Sequence, residues 1–146
     1  AGNALKLSPE SEYALYVQGG LLTSSGMPGE GIKFHRKAVT INPQWKWALG
    51  HSYFMARQAE EAVKIIEELS SAPRPMDAWG LAEIYAAMGD FDNAFYWLDE
   101  GYRLRFSWVP WIAWNPNYQT LKKDPRFGEL LERLNLPSHE KKFSER

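Results

Sequence analysis

Residues 80–101 read GLAEIYAAMGDFDNAFYWLDEG, and this stretch has the clearest helical pattern in the chain. Two small residues, Ala82 and Ala94, lie 12 positions apart on either side of a break at Gly89, and an aromatic residue, Tyr85, follows the first of them. Helices that cross at small side chains can approach to about 8–10 Å. The stretch therefore predicts two helices that cross at the alanines and are joined by a turn at Gly89.

The same spacing occurs twice more along the chain. Gly19 and Gly31 are 12 positions apart, as are Gly50 and Ala62. Such repetition indicates a helical array, in which each unit buries its apolar face only by stacking on its neighbours. We therefore predict an all-α chain. The expected helices cover approximately residues 11–25, 30–41, 43–56, 62–69, 76–88 and 91–104.

The repeated pattern resembles that of the tetratricopeptide repeat family. The resemblance is carried by the small residues, the aromatic residue one turn after the first of them, and a proline after the second helix, such as Pro43. It covers residues 4–105 and implies a right-handed superhelical solenoid of antiparallel helix pairs. The middle unit departs from the family pattern, because Pro43 and Gly50 are closer together than usual and Leu69 stands where a small residue is expected.

The part of the chain after the array has a different pattern. Ser107 and Pro110 predict one helix start, and Asp124 with Pro125 predicts another, which opens a closing helix. This segment resembles the end of bacterial multidomain proteins in which such repeats follow a winged-helix, kinase or cyclase domain. The closing helix has an apolar stripe of Phe127, Leu130, Leu131 and Leu134. We divide the chain into the tail of a truncated repeat (1–10), unit 1 (11–42), a contracted unit 2 (43–72), unit 3 (73–106), capping helices (107–137) and a flexible tail (138–146).

Composition excludes several classes of function. A net charge of -1 supplies no basic face for nucleic acid. The absence of cysteine excludes disulfides, thiolate metal sites and a cysteine nucleophile, and it fits a reducing compartment, so we expect a cytoplasmic location. No apolar run is as long as the roughly 20 residues of a membrane span. We expect no cofactor, no metal, no nucleic acid and no membrane contact.

The sequence gives little support for catalysis. None of the three histidines, His35, His51 and His139, has the helical spacing of a zinc site. Neighbouring carboxylates such as Glu60 and Glu61 diverge on a helix. We therefore expect no enzyme activity. A helical-bundle enzyme stays an alternative that would require His51 and Glu83 to lie within hydrogen-bond reach in a deep pocket.

The resemblance implies a binding surface, since the first helix of each pair lines the concave face in this family. Most of the residues predicted on this face are aromatic, so we expect an aromatic groove that binds a protein or peptide partner. The groove is either accessible or filled by the segment that contains Trp114, and the sequence leaves both possibilities open. An alternative function is oligomerisation, in which an apolar N-terminal end near Leu5 and Leu7 forms a homodimer. The predicted groove residues are Tyr13, Tyr16, Trp47, His51, Phe54, Trp79 and Glu83.

Overall fold

The computed structural model describes residues 11–105 and 112–136. All regular structure in these two ranges is helical, which confirms the predicted all-α class, and the ranges contain no strand. The predictions for residues 1–10, for the helix start at Ser107 and Pro110, and for the tail at 138–146 fall outside the described residues. The α-helices are α1 (Glu12–Ser24), α2 (Pro28–Ile41), α3 (Lys46–Met55), α4 (Ala59–Ser71), α5 (Pro75–Met88), α6 (Phe91–Arg103) and α7 (Pro125–Arg133).

The first six helices form three successive pairs. Helix α1 packs mainly on α2, α3 on α4, and α5 on α6, while α3 also contacts both α2 and α5. The connections within the pairs are short, at 25–27, 56–58 and 89–90, and short connections make neighbouring helices antiparallel. Residues 12–103 thus form a row of three helix pairs, each in contact with the next.

Small residues allow the close approach that the sequence predicts. A Cβ atom at Gly31 would lie 2.7 Å from the carbonyl oxygen of Gly19, and Ala82 and Ala94 are completely buried. The tightest site joins two pairs, because a Cβ atom at Gly80 in α5 would lie 2.2 Å from Cγ of Trp47 in α3. Distances under 3.0 Å leave no space for a methyl group, so these glycines are required by packing.

The middle pair is the irregular one. Its expected first helix, 43–56, is divided into a short 3-10 helix, Pro43–Trp45, and the ten-residue α3. Its turn contains Arg57 with a φ of 62°, whereas the corresponding turns use Gly26 and Gly89 at 83° and 76°. Left-handed backbone is unfavourable for a residue with a side chain. Arg57 therefore adopts a strained backbone conformation.

A buried polar cluster joins the first two pairs. Oγ of Ser52 in α3 lies 2.8 Å from Oγ1 of Thr23 in α1 and 2.8 Å from Nδ1 of His35 in α2. Nε2 of His35 donates to the carbonyl oxygen of Tyr16 at 3.1 Å, which leaves Nδ1 of the neutral ring as the acceptor. Burial lowers the pKa of His35 to about 4, so the ring is neutral at pH 7.

Helix α7 closes the array on the side of α6. Oδ1 of Asp124 accepts a hydrogen bond from the backbone N–H of Arg126 at 2.9 Å, which confirms the predicted N-cap. The Arg126 guanidinium bonds to Asp92 of α6 at 2.7 Å and lies 4.6 Å from the ring centroid of Phe95. The predicted apolar stripe is confirmed, because it is buried at Phe127, Leu130 and Leu131 and half-buried at Leu134.

Candidate functional site

The first helices of the three pairs, α1, α3 and α5, are joined by aromatic rings. Tyr16 of α1 stacks on Trp45 at a centroid distance of 4.2 Å and meets Trp47 of α3 edge-on at 5.7 Å. Trp47 in turn covers Gly80 of α5. We call the side of the molecule formed by these three helices the α1/α3/α5 face.

A C-terminal segment, residues 112–123, lies against α5 on this face. The Tyr118 hydroxyl donates to the carbonyl oxygen of Trp79 at 3.2 Å, and the two rings meet edge-on with centroids 5.5 Å apart. Ile112, Tyr118 and Leu121 have no exposed surface. Of the two possibilities that the sequence left open, the structure therefore shows a face filled by the chain itself at α5.

Glu83 is the polar anchor of this contact. Its Oε1 accepts hydrogen bonds from Nε1 of Trp79 at 2.9 Å and from Nδ2 of Asn115 at 2.6 Å, and its Oε2 accepts from Nδ2 of Asn117 at 2.8 Å. Only 4% of the residue is exposed. Burial raises the pKa of Glu83, while these three hydrogen bonds act in the opposite direction. Neutral N–H donors thus stabilise the buried carboxylate.

The local sequence from Asn115 to Tyr118 explains how the segment reaches Glu83. Oδ1 of Asn115 accepts from the backbone N–H of Asn117 at 2.9 Å, and Pro116 occupies the first position of the following 3-10 helix. This cap leaves Nδ2 of Asn115 directed to the carboxylate. The turn therefore presents two amide groups to one acceptor, a pairing that the sequence analysis did not foresee.

A pocket of about 400 Å³ lies beside this contact. The three helices and the C-terminal segment all contribute to it, so the segment forms part of its wall. Burial lowers the pKa of His51, which lines the pocket, to about 4 and keeps its ring neutral at pH 7. The lining residues are Thr23 and Ser24 of α1, His51 and Met55 of α3, Ala86 and Ala87 of α5, and Pro116, Asn117 and Thr120 of the segment.

The seven predicted groove residues differ in accessibility. Trp47, Trp79 and Glu83 are buried, because Trp47 fills the space above Gly80 and the C-terminal segment covers the other two. The remaining four keep exposed surface: Tyr13 is 52% exposed, and Tyr16, His51 and Phe54 are half-buried.

The charge of Glu83 also affects Tyr16 on the same face. Burial raises the pKa of Tyr16, and the nearby negative charge of Glu83 raises it further. Glu83 and His51 are not joined by a hydrogen bond within the described ranges, where Glu83 instead accepts from Trp79, Asn115 and Asn117. The arrangement that the enzyme alternative requires is therefore not formed here.

A second, larger cleft of about 680 Å³ lies between α6 and α7. Its arginines are already paired, Arg126 with Asp92 and Asp124, and Arg133 with Asp99. Among residues 11–105 and 112–136, no three His, Cys, Asp or Glu side chains are grouped as metal ligands. No helix in these ranges has the length and apolar character that a membrane crossing requires.

No protein-family model matches the chain, and neither a curated protein nor a solved structure does. The resemblance to tetratricopeptide repeats stays a prediction from the sequence pattern.

Proposed function

We propose that the chain is a non-catalytic protein-interaction module, built from three tetratricopeptide-like helix pairs arranged as a right-handed solenoid. In this proposal it binds a peptide or a partner helix along the part of the α1/α3/α5 face that the C-terminal segment leaves accessible. We further propose that it acts in the cytoplasm as the C-terminal part of a larger bacterial regulatory protein.

One observation carries this proposal: the α1/α3/α5 face already holds a stretch of polypeptide outside the α-helices. Trp79 offers its ring and a carbonyl acceptor, and Glu83 adds a carboxylate for two asparagine side chains of the C-terminal segment. Peptide-binding surfaces use the same combination, in which buried aromatic anchors supply contact area and a few polar groups fix orientation. The accessible part of the face, with Tyr13, Tyr16 and Phe54, retains the aromatic anchors.

A second candidate function is assembly through the α1 end of the array. Leu21 of α1 is 49% exposed, whereas the residues at the corresponding positions of the next two pairs, Ser52 of α3 and Ile84 of α5, are completely buried. Ser52 contacts Thr23 and His35 of the preceding pair. Leu21 stands 31 positions before Ser52, the same separation as between Gly19 and Gly50, so Leu21 and Ser52 are equivalent positions of successive units. Units of a helical array are stabilised by their neighbours, so a second copy of this chain is the partner that this candidate predicts.

Site-specific photocrosslinking in the native host tests the proposal. A photoreactive phenylalanine analogue replaces Met55, which borders the pocket on the α1/α3/α5 face, or Val63, a matched control on α4. The two residues are 44% and 45% exposed, so accessibility alone does not separate them. We expect one discrete crosslinked protein from position 55 that is absent from position 63. No product at position 55, or the same products at both positions, would overturn the proposal, and crosslinks only to a second copy of the chain would favour assembly.

A further inference from the structure

We infer that the pocket beside His51 receives an uncharged, mainly apolar side chain of a partner polypeptide, whose backbone hydrogen-bonds to the His51 ring. This inference rests on the proposed function and names the chemistry that the partner must present.

The charge of the pocket lining is the first argument. None of its lining residues is Asp, Glu, Lys or Arg, although these types make up 24% of the chain. A charged side chain that entered would lose part of its hydration and would meet no opposite charge among the lining residues. The lining therefore selects against acidic and basic side chains.

The apolar part of the lining is the second argument. Ala86 and Ala87 contribute only methyl groups, Pro116 adds a ring, and Met55 lies at the edge with 44% of its surface exposed. Methionine adapts its shape to different apolar groups because its side chain is unbranched and flexible. The pocket volume of about 400 Å³ also falls within the range of about 300–1,000 Å³ typical of ligand sites.

The His51 ring has unused hydrogen-bonding groups. Within the described part of the chain, its ring makes no hydrogen bond, in contrast to His35, which is bonded at both nitrogens. A neutral imidazole carries one N–H donor and one nitrogen acceptor. An extended peptide offers a C=O and an N–H that match these two groups without adding charge.

The part of the pocket wall that the C-terminal segment contributes is held by Glu83. Asn117 lines the pocket and donates to Glu83 at 2.8 Å, so the same side chain serves both sites. The pocket is therefore formed before a partner arrives, which reduces the ordering that binding requires.

NMR titration of the isotopically labelled chain with blocked amino acids tests the inference. The probes are N-acetyl-leucinamide, N-acetyl-lysinamide and N-acetyl-glutamic acid α-amide at pH 7. We expect the leucine probe to shift the His51 ring signals and the Ala86 and Ala87 methyl signals in a saturable way. The two charged probes should bind at least about tenfold more weakly, which corresponds to about 1.4 kcal/mol. No response to the leucine probe, or equal responses to all three probes, would overturn the inference.

Two matched substitutions locate the response. Ala87→Leu adds volume from an exposed position in the pocket lining, and Val63→Leu adds one methylene on the exposed surface of α4. The leucine probe should lose its effect in Ala87→Leu and keep it in Val63→Leu. A response that persists in Ala87→Leu would contradict the site.

The titration and the crosslinking fail independently. If the leucine probe binds saturably but no protein is crosslinked at Met55, the inferred side-chain pocket is supported and the proposed function is rejected. If a specific crosslink forms at Met55 and Ala87→Leu does not weaken it, the proposed function is supported and the pocket is rejected as the site of the partner's side chain.

Discussion

Asn117 donates a hydrogen bond from Nδ2 to Oε2 of Glu83 over 2.8 Å, and this contact ties the C-terminal segment to the middle of α5. Asn115 takes the other carboxylate oxygen at 2.6 Å. A buried carboxylate is unfavourable unless it is fully hydrogen-bonded, and the half-buried amide of Asn115 is stabilised by a charged acceptor. The C-terminal segment and Glu83 therefore stabilise each other.

We expect Glu83→Ala to lower the free energy of unfolding by about 3 kcal/mol, because it leaves the amides of Asn115 and Asn117 without their acceptor and opens a cavity. Denaturant unfolding measures the change. Glu67→Ala, at an exposed position in α4, is the control and should change the value by less than about 0.5 kcal/mol. Equal effects of the two substitutions would contradict the role of Glu83.

Gly80→Ala should lower the free energy of unfolding by about 1–3 kcal/mol, since the new methyl group collides with Trp47. Gly20→Ala is the matched control in α1, where a Cβ atom would meet nothing within 4 Å. There we expect no loss, or a gain of up to about 1 kcal/mol from the higher helix propensity of alanine. Thermal unfolding of both variants measures the difference, and a stable Gly80→Ala protein would disprove the packing of α3 on α5.

Arg57→Gly should raise the free energy of unfolding by about 0.5–1 kcal/mol, because glycine adopts the left-handed backbone at this position without steric strain. The converse substitution, Gly89→Ala, should lower it by about 1 kcal/mol at the equivalent turn of the third pair. Denaturant midpoints of both variants test this. A loss of stability in Arg57→Gly would show that the arginine side chain contributes more than the strain costs.

The helices were predictable because their pattern is local. The cap at Asp124 and the break at Gly89 each depend on neighbouring residues, and both are present at the predicted places. The left-handed conformation of Arg57 carries no such signal, since arginine adopts it only when the packing of α3 and α4 demands it.

The candidate site was predictable only in part. The repeat spacing placed Trp79 and Glu83 on the first helix of a pair, but nothing periodic connects them to Asn115 and Asn117, more than 30 positions later. The Asn115-Pro116 pair predicts a turn, but it does not predict which helix that turn packs against. Tertiary contacts of a non-repeating segment therefore decide which residues of the face stay accessible.

Stability should fall as the pH is lowered from 7 to 5. The pKa of His35 is about 4 in the folded chain and near 6.5 when unfolded, so the unfolded chain binds more protons in this interval. We expect a loss of about 2 kcal/mol from His35, and a further loss from His51, whose pKa is also about 4. Glu83 has the opposite effect on the pH dependence of stability. Because its pKa is raised, the folded chain binds a proton at this group more tightly than the unfolded chain, so lowering the pH favours folding.

Two measurements check this pH dependence. NMR titration of the ring protons should place the His35 transition near pH 4, and a transition near its ordinary value would contradict the burial of the ring. Denaturant unfolding at both pH values should show a smaller pH dependence in His35→Gln than in the unsubstituted chain, since that variant has lost the group that titrates.

Proton–proton nuclear Overhauser effects between Tyr118 and Trp79 measure whether the C-terminal segment occupies the α5 part of the α1/α3/α5 face. The ring centroids are 5.5 Å apart, so cross-peaks between the two rings are expected, with slowed solvent exchange of the side-chain amide protons of half-buried Asn115. Random-coil shifts for residues 112–121, without these cross-peaks, would contradict the account.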